Sequence, residues 1–163
     1  MKFTELDIPG VYLIELEKLE DNRGFFARSW CVDEFREHGL NSDLVQCNIS
    51  FNHKAGTVRG MHFQAEPYGE VKVVRCTMGS LIDVALDIRP ESPTYKKWVG
   101  VKLSAKNRKM LYLPTGIAHG FQTLEDNTEV FYQMSTFYKP EAARGVRWND
   151  PAFNIEWLLE DLV

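Results

Sequence analysis

The sequence predicts an all-β fold with one or two short helices, arranged as an antiparallel sandwich or barrel. Three observations lead there. Short runs rich in β-branched and aromatic residues recur along the chain. Turn residues interrupt them at close intervals, and only one stretch has helical spacing. Strands in this succession, without a helix between each pair, exclude crossover βαβ units and favour antiparallel pairing.

In chain order, residues 10–19 carry Val11, Leu13, Ile14 and Leu16 and stop at Asp21-Asn22-Arg23-Gly24. Residues 32–40 form the helical stretch, with Phe35 and Leu40 as apolar anchors and Gly39 near its end. Residues 71–78 run straight into Gly79-Ser80 and then residues 81–88, which reads as a tight hairpin. Residues 98–103, 110–113, 119–124 and 129–137 continue the series. The terminal Ile155-Glu156-Trp157-Leu158-Leu159 is compatible with either a strand or a helical turn.

A chain of 163 residues suits one domain, spanning 1–163, with one core. Hydrophobic residues make up 44% and aromatics 12%, enough to fill a barrel interior. The net charge of −4 is spread over mixed signs with no basic run, which argues against nucleic acid as a partner. The N-terminus, Met1 to Asp7, lacks the apolar stretch of a signal peptide. No segment approaches the roughly 20 apolar residues of a membrane helix, so no membrane partner is expected. Cys31, Cys47 and Cys76 are odd in number and have no Cys-x-x-Cys spacing. That pattern argues against a disulfide framework or a cysteine zinc site and fits a reducing cytoplasm.

The sharpest chemical signal is Pro114-Thr115-Gly116-Ile117-Ala118-His119. It resembles the second cupin motif, a turn that delivers a histidine onto the next strand. Its partner is Arg59-Gly60-Met61-His62-Phe63-Gln64, where a metal-binding cupin places a second histidine at the position of Gln64. An amide is a poor metal ligand, and Glu66 and Glu70 are the only nearby carboxylates, so no metal is expected. Histidines free of metal are available for proton chemistry. Lys72, in a valine-rich run, faces either solvent or a polar pocket, and base rates favour solvent. Tyr132 by itself reads as a strand aromatic, and His53, in a turn, is assigned no role.

Taken together, these segments resemble the dTDP-4-dehydrorhamnose 3,5-epimerase family nearly end to end. The likeness is carried by Asp21-Asn22-Arg23-Gly24-Phe25-Phe26, Gln46-Cys47-Asn48-Ile49-Ser50, the Arg59 to Gln64 run and Lys72-Val73-Val74-Arg75. It continues through Asp83 to Arg89, Ser92-Pro93-Thr94, Leu103-Ser104, Pro114 to Phe121, Tyr132, Tyr138, Pro140 and Trp148-Asn149-Asp150-Pro151. The resemblance implies a cupin-type double-stranded β-helix, or jelly-roll barrel. It implies epimerisation at C3, C5 or both of an NDP-4-keto-6-deoxyhexose through an enolate, in deoxysugar biosynthesis. No cofactor is required, because the substrate's own carbonyl is the electron sink. By the same resemblance His62 is the base, Tyr132 the proton donor on the opposite face of the sugar, and Lys72 the stabiliser of charge on the C4 oxygen. Arg23, Gln46, Asn48 and Arg59 would hold the nucleotide diphosphate, Phe26 joins the substrate-binding set, and His119 lines the sugar site. The family pattern further implies a homodimer, with N-terminal strands open to exchange between subunits.

There are three departures from the pattern. Arg28 and Ala143 stand where the family usually has glutamates, and the sequence ends at Val163 without the Ser-x-Lys-Asp tail whose aspartate pairs with the base histidine. Asp83 is the first candidate to orient His62 in its place, with Asp161 a weaker one. Competing readings are a mono-epimerase or ketoisomerase on a related nucleotide sugar, and a non-catalytic sugar-nucleotide binding homologue. A metal-dependent cupin oxygenase is disfavoured by Gln64.

Overall fold

Inward and outward side chains alternate along most of the strands, and in the computed structural model, which describes residues 1–163, they sort into two facing antiparallel sheets. The elements are β1 (Lys2–Glu5), β2 (Tyr12–Glu15), β3 (Leu19–Asp21), β4 (Gly24–Phe26), α1 (Val32–Glu37), β5 (Gln46–Asn52), β6 (Val58–Gln64) and β7 (Lys72–Met78). They continue with β8 (Ser80–Asp87), β9 (Trp98–Ser104), β10 (Met110–Leu113), β11 (Ile117–Thr123), β12 (Thr128–Met134) and β13 (Ala143–Gly145). One sheet has the order β1-β2-β10-β7-β12-β5 and the other β13-β6-β11-β8-β9. The β3–β4 pair stands apart as a two-stranded ribbon. This is the antiparallel sandwich that the strand pattern predicts, in the jelly-roll form that the family resemblance implies.

The hairpin expected across Gly79-Ser80 does not form. β7 bonds to β10 and β12, whereas β8 bonds to β9 and β11 in the opposite sheet. Gly79 takes φ +73 and packs where a Cβ would meet Thr128 Oγ1 at 2.5 Å. A left-handed residue at this corner lets the chain cross between layers at once. The helix ends at Glu37, short of residue 40, because Gly39 turns into the left-handed region at φ +69. Residues 155–159 adopt neither strand nor helix.

Three apolar clusters hold the layers together. Val74 and Cys76 of β7, Leu81 and Ala85 of β8, Leu111 and Leu113 of β10 and Val130 of β12 meet between the sheets. On the outer face of the first sheet, Phe35 of α1 packs with Ile14, Val71, Val73, Met110 and Tyr112. On the outer face of the second, Met61, Ile82, Val84, Leu86 and Ala118 are covered by Phe153, Ile155 and Trp157. β7 and β8 therefore lose the simple polar–apolar alternation, since both faces of each are covered. Their few inward polar residues, Lys72 and Asp83, mark where the packed interior gives way to an open cavity.

Candidate active site

β6 and β11 set the two motif histidines side by side: His62 and His119 are directly opposed in the antiparallel register. The register shifts just beyond them, between His119 and Phe121. There Gly60, at φ +135, approaches so closely that a Cβ would sit 2.5 Å from Gly120 Cα. Only glycine tolerates both the conformation and the contact.

His119 is buried, and its Nε2–H donates to Asp83 Oδ1 at 2.7 Å. Asp83 reaches it from β8 and is wholly buried; its second oxygen, Oδ2, has no partner. The expectation that Asp83 orients His62 is thereby corrected. Asp83 sits opposite Phe121 in the β8–β11 register, on the side of β11 away from β6, so its carboxylate comes to the nearer imidazole. His62 is exposed at the cavity mouth. Partial burial of its ring, then the nearby His119, Lys72 and Arg59, hold its pKa below the ordinary imidazole value.

Lys72 is buried, against the solvent-facing reading that base rates favour. Its Nζ donates to Glu70 Oε1, two residues back on the same face of the chain. Burial pushes the ammonium down, to about 8, with the Asp83 carboxylate opposing the shift. Tyr132 stands opposite Asn48 across β12 and β5, and burial raises its phenol pKa while Arg59 and Asn48 oppose the rise.

Polar side chains continue toward the mouth. Asn48 Nδ2 lies 3.2 Å from Met134 Sδ, Gln46 Nε2 lies 3.4 Å from Asn48 Oδ1, and Gln46 Oε1 accepts from Tyr138 N at 3.2 Å. Arg59 donates Nε–H to Asn52 Oδ1 at 2.7 Å, which aims the guanidinium and commits only one of its donors. Gln64 is used structurally, accepting from Lys139 N at 2.6 Å and donating to Tyr68 O at 3.0 Å.

Seven of the sequence candidates, Gln46, Asn48, Arg59, His62, Lys72, His119 and Tyr132, line one open cavity of about 950 Å³. Asp83 lies behind its wall. Arg23 and Phe26 lie outside it, on the β3–β4 ribbon, where Arg23 pairs with Asp21 at 2.5 Å and Phe26 is 72% exposed. Of the two substituted positions, Ala143 lines the cavity, while Arg28 lies outside it and pairs with Glu34 at 2.7 Å. Glu70, considered from sequence only as a weak metal carboxylate, is a cavity-wall residue bonded to Lys72. Its signal was the two-residue spacing to Lys72. Chemically, a neutral imidazole, a protonated phenol and an ammonium around one cavity are equipped to move protons beside a carbonyl.

The chain also matches known proteins over nearly its whole length. A model of the family described as dTDP-4-dehydrorhamnose 3,5-epimerase matches residues 5–163. The dTDP-4-dehydrorhamnose 3,5-epimerase of Sinorhizobium fredii is 46% identical over 157 residues, covering 96% of this chain and 80% of that one. A crystal structure of the Bacillus anthracis enzyme of the same name, with TDP and PPi bound, superposes with a TM-score of 0.96 at 37% identity, over 99% of this chain and 93% of that one. The Legionella pneumophila dTDP-6-deoxy-D-glucose-3,5-epimerase, in complex with dTDP-4-keto-L-rhamnose, gives 0.92 at 34% identity, over 99% and 86%.

Proposed function

The chain belongs to the dTDP-4-dehydrorhamnose 3,5-epimerase family, isomerases of deoxysugar biosynthesis, and we propose that it performs the epimerisation with His62, Lys72 and Tyr132 acting on a dTDP-linked 4-keto-6-deoxyhexose. The C4 ketone acidifies the hydrogens on C3 and C5. His62, uncharged at neutral pH, removes one of them; the electron pair moves into the ketone and gives an enolate. The Lys72 ammonium donates to the C4 oxygen as charge develops there. Tyr132, protonated at neutral pH, returns a proton to the carbon from the opposite face, inverting it, and the enolate collapses to the ketone; water then takes the proton from His62 and restores the one Tyr132 has lost. The substrate's carbonyl holds the electron pair throughout, so this reading calls for no cofactor.

The single observation that carries the proposal is that His62, Lys72 and Tyr132 line the same cavity, with a lowered imidazole pKa and a raised phenol pKa. Arg59, Gln46 and Asn48 are assigned to the nucleotide diphosphate, and His119, held by Asp83, to the sugar. Arg23 and Phe26 would serve the cavity of a second copy. The exposure of Leu19 and Phe26, both 72%, and of Ile49 at 63%, supports a homodimer in which the β3–β4 ribbon reaches across. No helix is long and apolar enough to cross a membrane, and the three free cysteines support a cytoplasmic site of action.

The test is NMR of dTDP-4-keto-6-deoxyglucose with the protein in D2O. Deuterium entering at both C3 and C5, with inversion at both, is the expected result. Exchange at one carbon makes the protein a mono-epimerase, and a displaced carbonyl makes it a ketoisomerase. Tight binding without exchange refutes catalysis.

A further inference from the structure

The proposed mechanism uses Lys72 and leaves its buried partner without a task. Glu70 and Lys72 lie two residues apart, so an extended backbone sends both side chains to the cavity face. Both are withdrawn from water, with side chains 6% and 9% exposed. Glu70 Oε1 accepts from Lys72 Nζ, and Glu70 Oε2 is buried with no partner at all. A carboxylate in such a place is tolerated only if a charge compensates it. A bare carboxylate beside the C4 oxygen would also oppose an enolate forming there. Its presence in the wall is therefore favourable only through the cation it touches.

The other groups around the ammonium do not replace it. The strands flanking β7 present Leu113 of β10 and Met134 of β12 opposite Lys72, neither of them charged. Across the cavity stand Arg59 and His62 of β6, His119 of β11 and Tyr132 of β12, none of them an anion at neutral pH. Asp83 of β8 is also buried and favours the charged ammonium, but its Oδ1 is taken by His119 and it makes no contact with Lys72 Nζ. Asp87, buried as well, is bound by Arg89, Ser92 and Thr94. Glu70 alone contacts Lys72 directly, and it occupies one of the three ammonium donors, leaving the others for the cavity.

We propose that Glu70 is a positioning residue that anchors the Lys72 ammonium at the cavity wall and holds it in its charged form during turnover. The inference rests on the role given to Lys72 above. Removing the negative charge, as in Glu70→Gln, leaves a buried ammonium whose charged form is disfavoured by desolvation. The alkaline limb of the reaction then moves to lower pH.

The experiment follows deuterium uptake by dTDP-4-keto-6-deoxyglucose between pH 6 and 10 for the full chain, with the enzyme-free rate subtracted. For Glu70→Gln the alkaline limb falls by at least about one pH unit, and the rate at pH 9 drops about tenfold or more relative to the unsubstituted protein. The acid limb, which follows His62, stays in place. Glu70→Asp, which restores the charge on a shorter arm, recovers at least about half of the displacement. An alkaline limb that coincides in Glu70→Gln and the unsubstituted protein overturns the proposal. Lys72→Met separates two kinds of failure. Undiminished exchange there overturns the role of Lys72 together with this inference. A loss there beside an unmoved Glu70→Gln limb overturns this inference alone. If Glu70→Gln does not fold, the unsubstituted protein decides through its lysine 13Cε resonances, the Lys72 signal being the one missing in Lys72→Met. Burial opposed by Asp83 places the ammonium at about 8, so a midpoint above about 8 supports its anchoring by Glu70, and one at or below about 8 overturns it.

Discussion

Asp83 accepts the Nε2–H of His119 at 2.7 Å, so the one wholly buried carboxylate facing the site serves the second motif histidine and not His62. The bond fixes the tautomer of His119 and leaves Nδ1 as its remaining polar atom. It also separates the two imidazoles, opposed in register, into one locked by a carboxylate and one exposed to the cavity.

The first prediction concerns that pair. Asp83→Asn weakens the hold on the imidazole and is expected to lower kcat/KM by about tenfold or more. Because Asp83 acts through His119, combining Asp83→Asn with His119→Ala should cost little beyond His119→Ala alone. A double-mutant cycle on kcat/KM checks this, and additive losses would show that Asp83 acts elsewhere.

His62 and Tyr132 fail in different ways when removed. His62→Ala removes the proposed base and should slow deuterium uptake at the epimerised carbons by about 10² to 10⁴-fold. Tyr132→Phe keeps the proposed base but loses the proposed donor on the opposite face. It should admit deuterium by return to the original face while inversion is largely lost. NMR separates exchange from inversion in one sample, and inversion unimpaired in Tyr132→Phe would remove that residue from the mechanism.

The pH dependence follows from the direction of the His62 shift. Its pKa is lowered, chiefly by burial, so the neutral base persists below the ordinary imidazole value. Activity should hold as pH falls to about 6.5 and decline only below that, as the ring takes up a proton. The pH profile of kcat/KM is the measurement; an acid limb above about 7 would assign the limb to another group.

Stability is governed away from the cavity. Phe35 is fully buried under the first sheet, in edge contact with Phe3 at 5.4 Å and Tyr112 at 6.1 Å between ring centroids. Phe35→Ala should destabilise the fold by about 3 to 5 kcal/mol, read from urea unfolding. Nucleotide binding by the fraction still folded should be little changed, since α1 contributes nothing to the cavity wall.

Periodicity and turn residues were enough to define an all-β chain, the run at 110–113 and the short helix anchored by Phe35, while the turn that delivers His119 was legible through its likeness to a cupin motif. These features depend on neighbours a few residues apart, and the alternation of side chains is local. Gly79-Ser80 marks the limit of such reasoning: a turn can be read from its residues, but which sheet the next strand joins depends on partners distant in sequence. The family likeness named His62, Lys72 and Tyr132 together, since their motifs are written in order along the chain.

What the tertiary structure decided is pairing. Asp83 and His119 are 36 residues apart and meet only because β8 and β11 lie side by side. Lys72, exposed by its residue type, is buried in the cavity wall, where the Glu70 carboxylate compensates its charge. Arg23 and Phe26 share a motif that lies away from the cavity of His62 and Lys72, because their ribbon stands off from both sheets. Sequence specifies what each side chain can do. Which group it does it to is set by register and layer, and these follow from the packing of the whole chain.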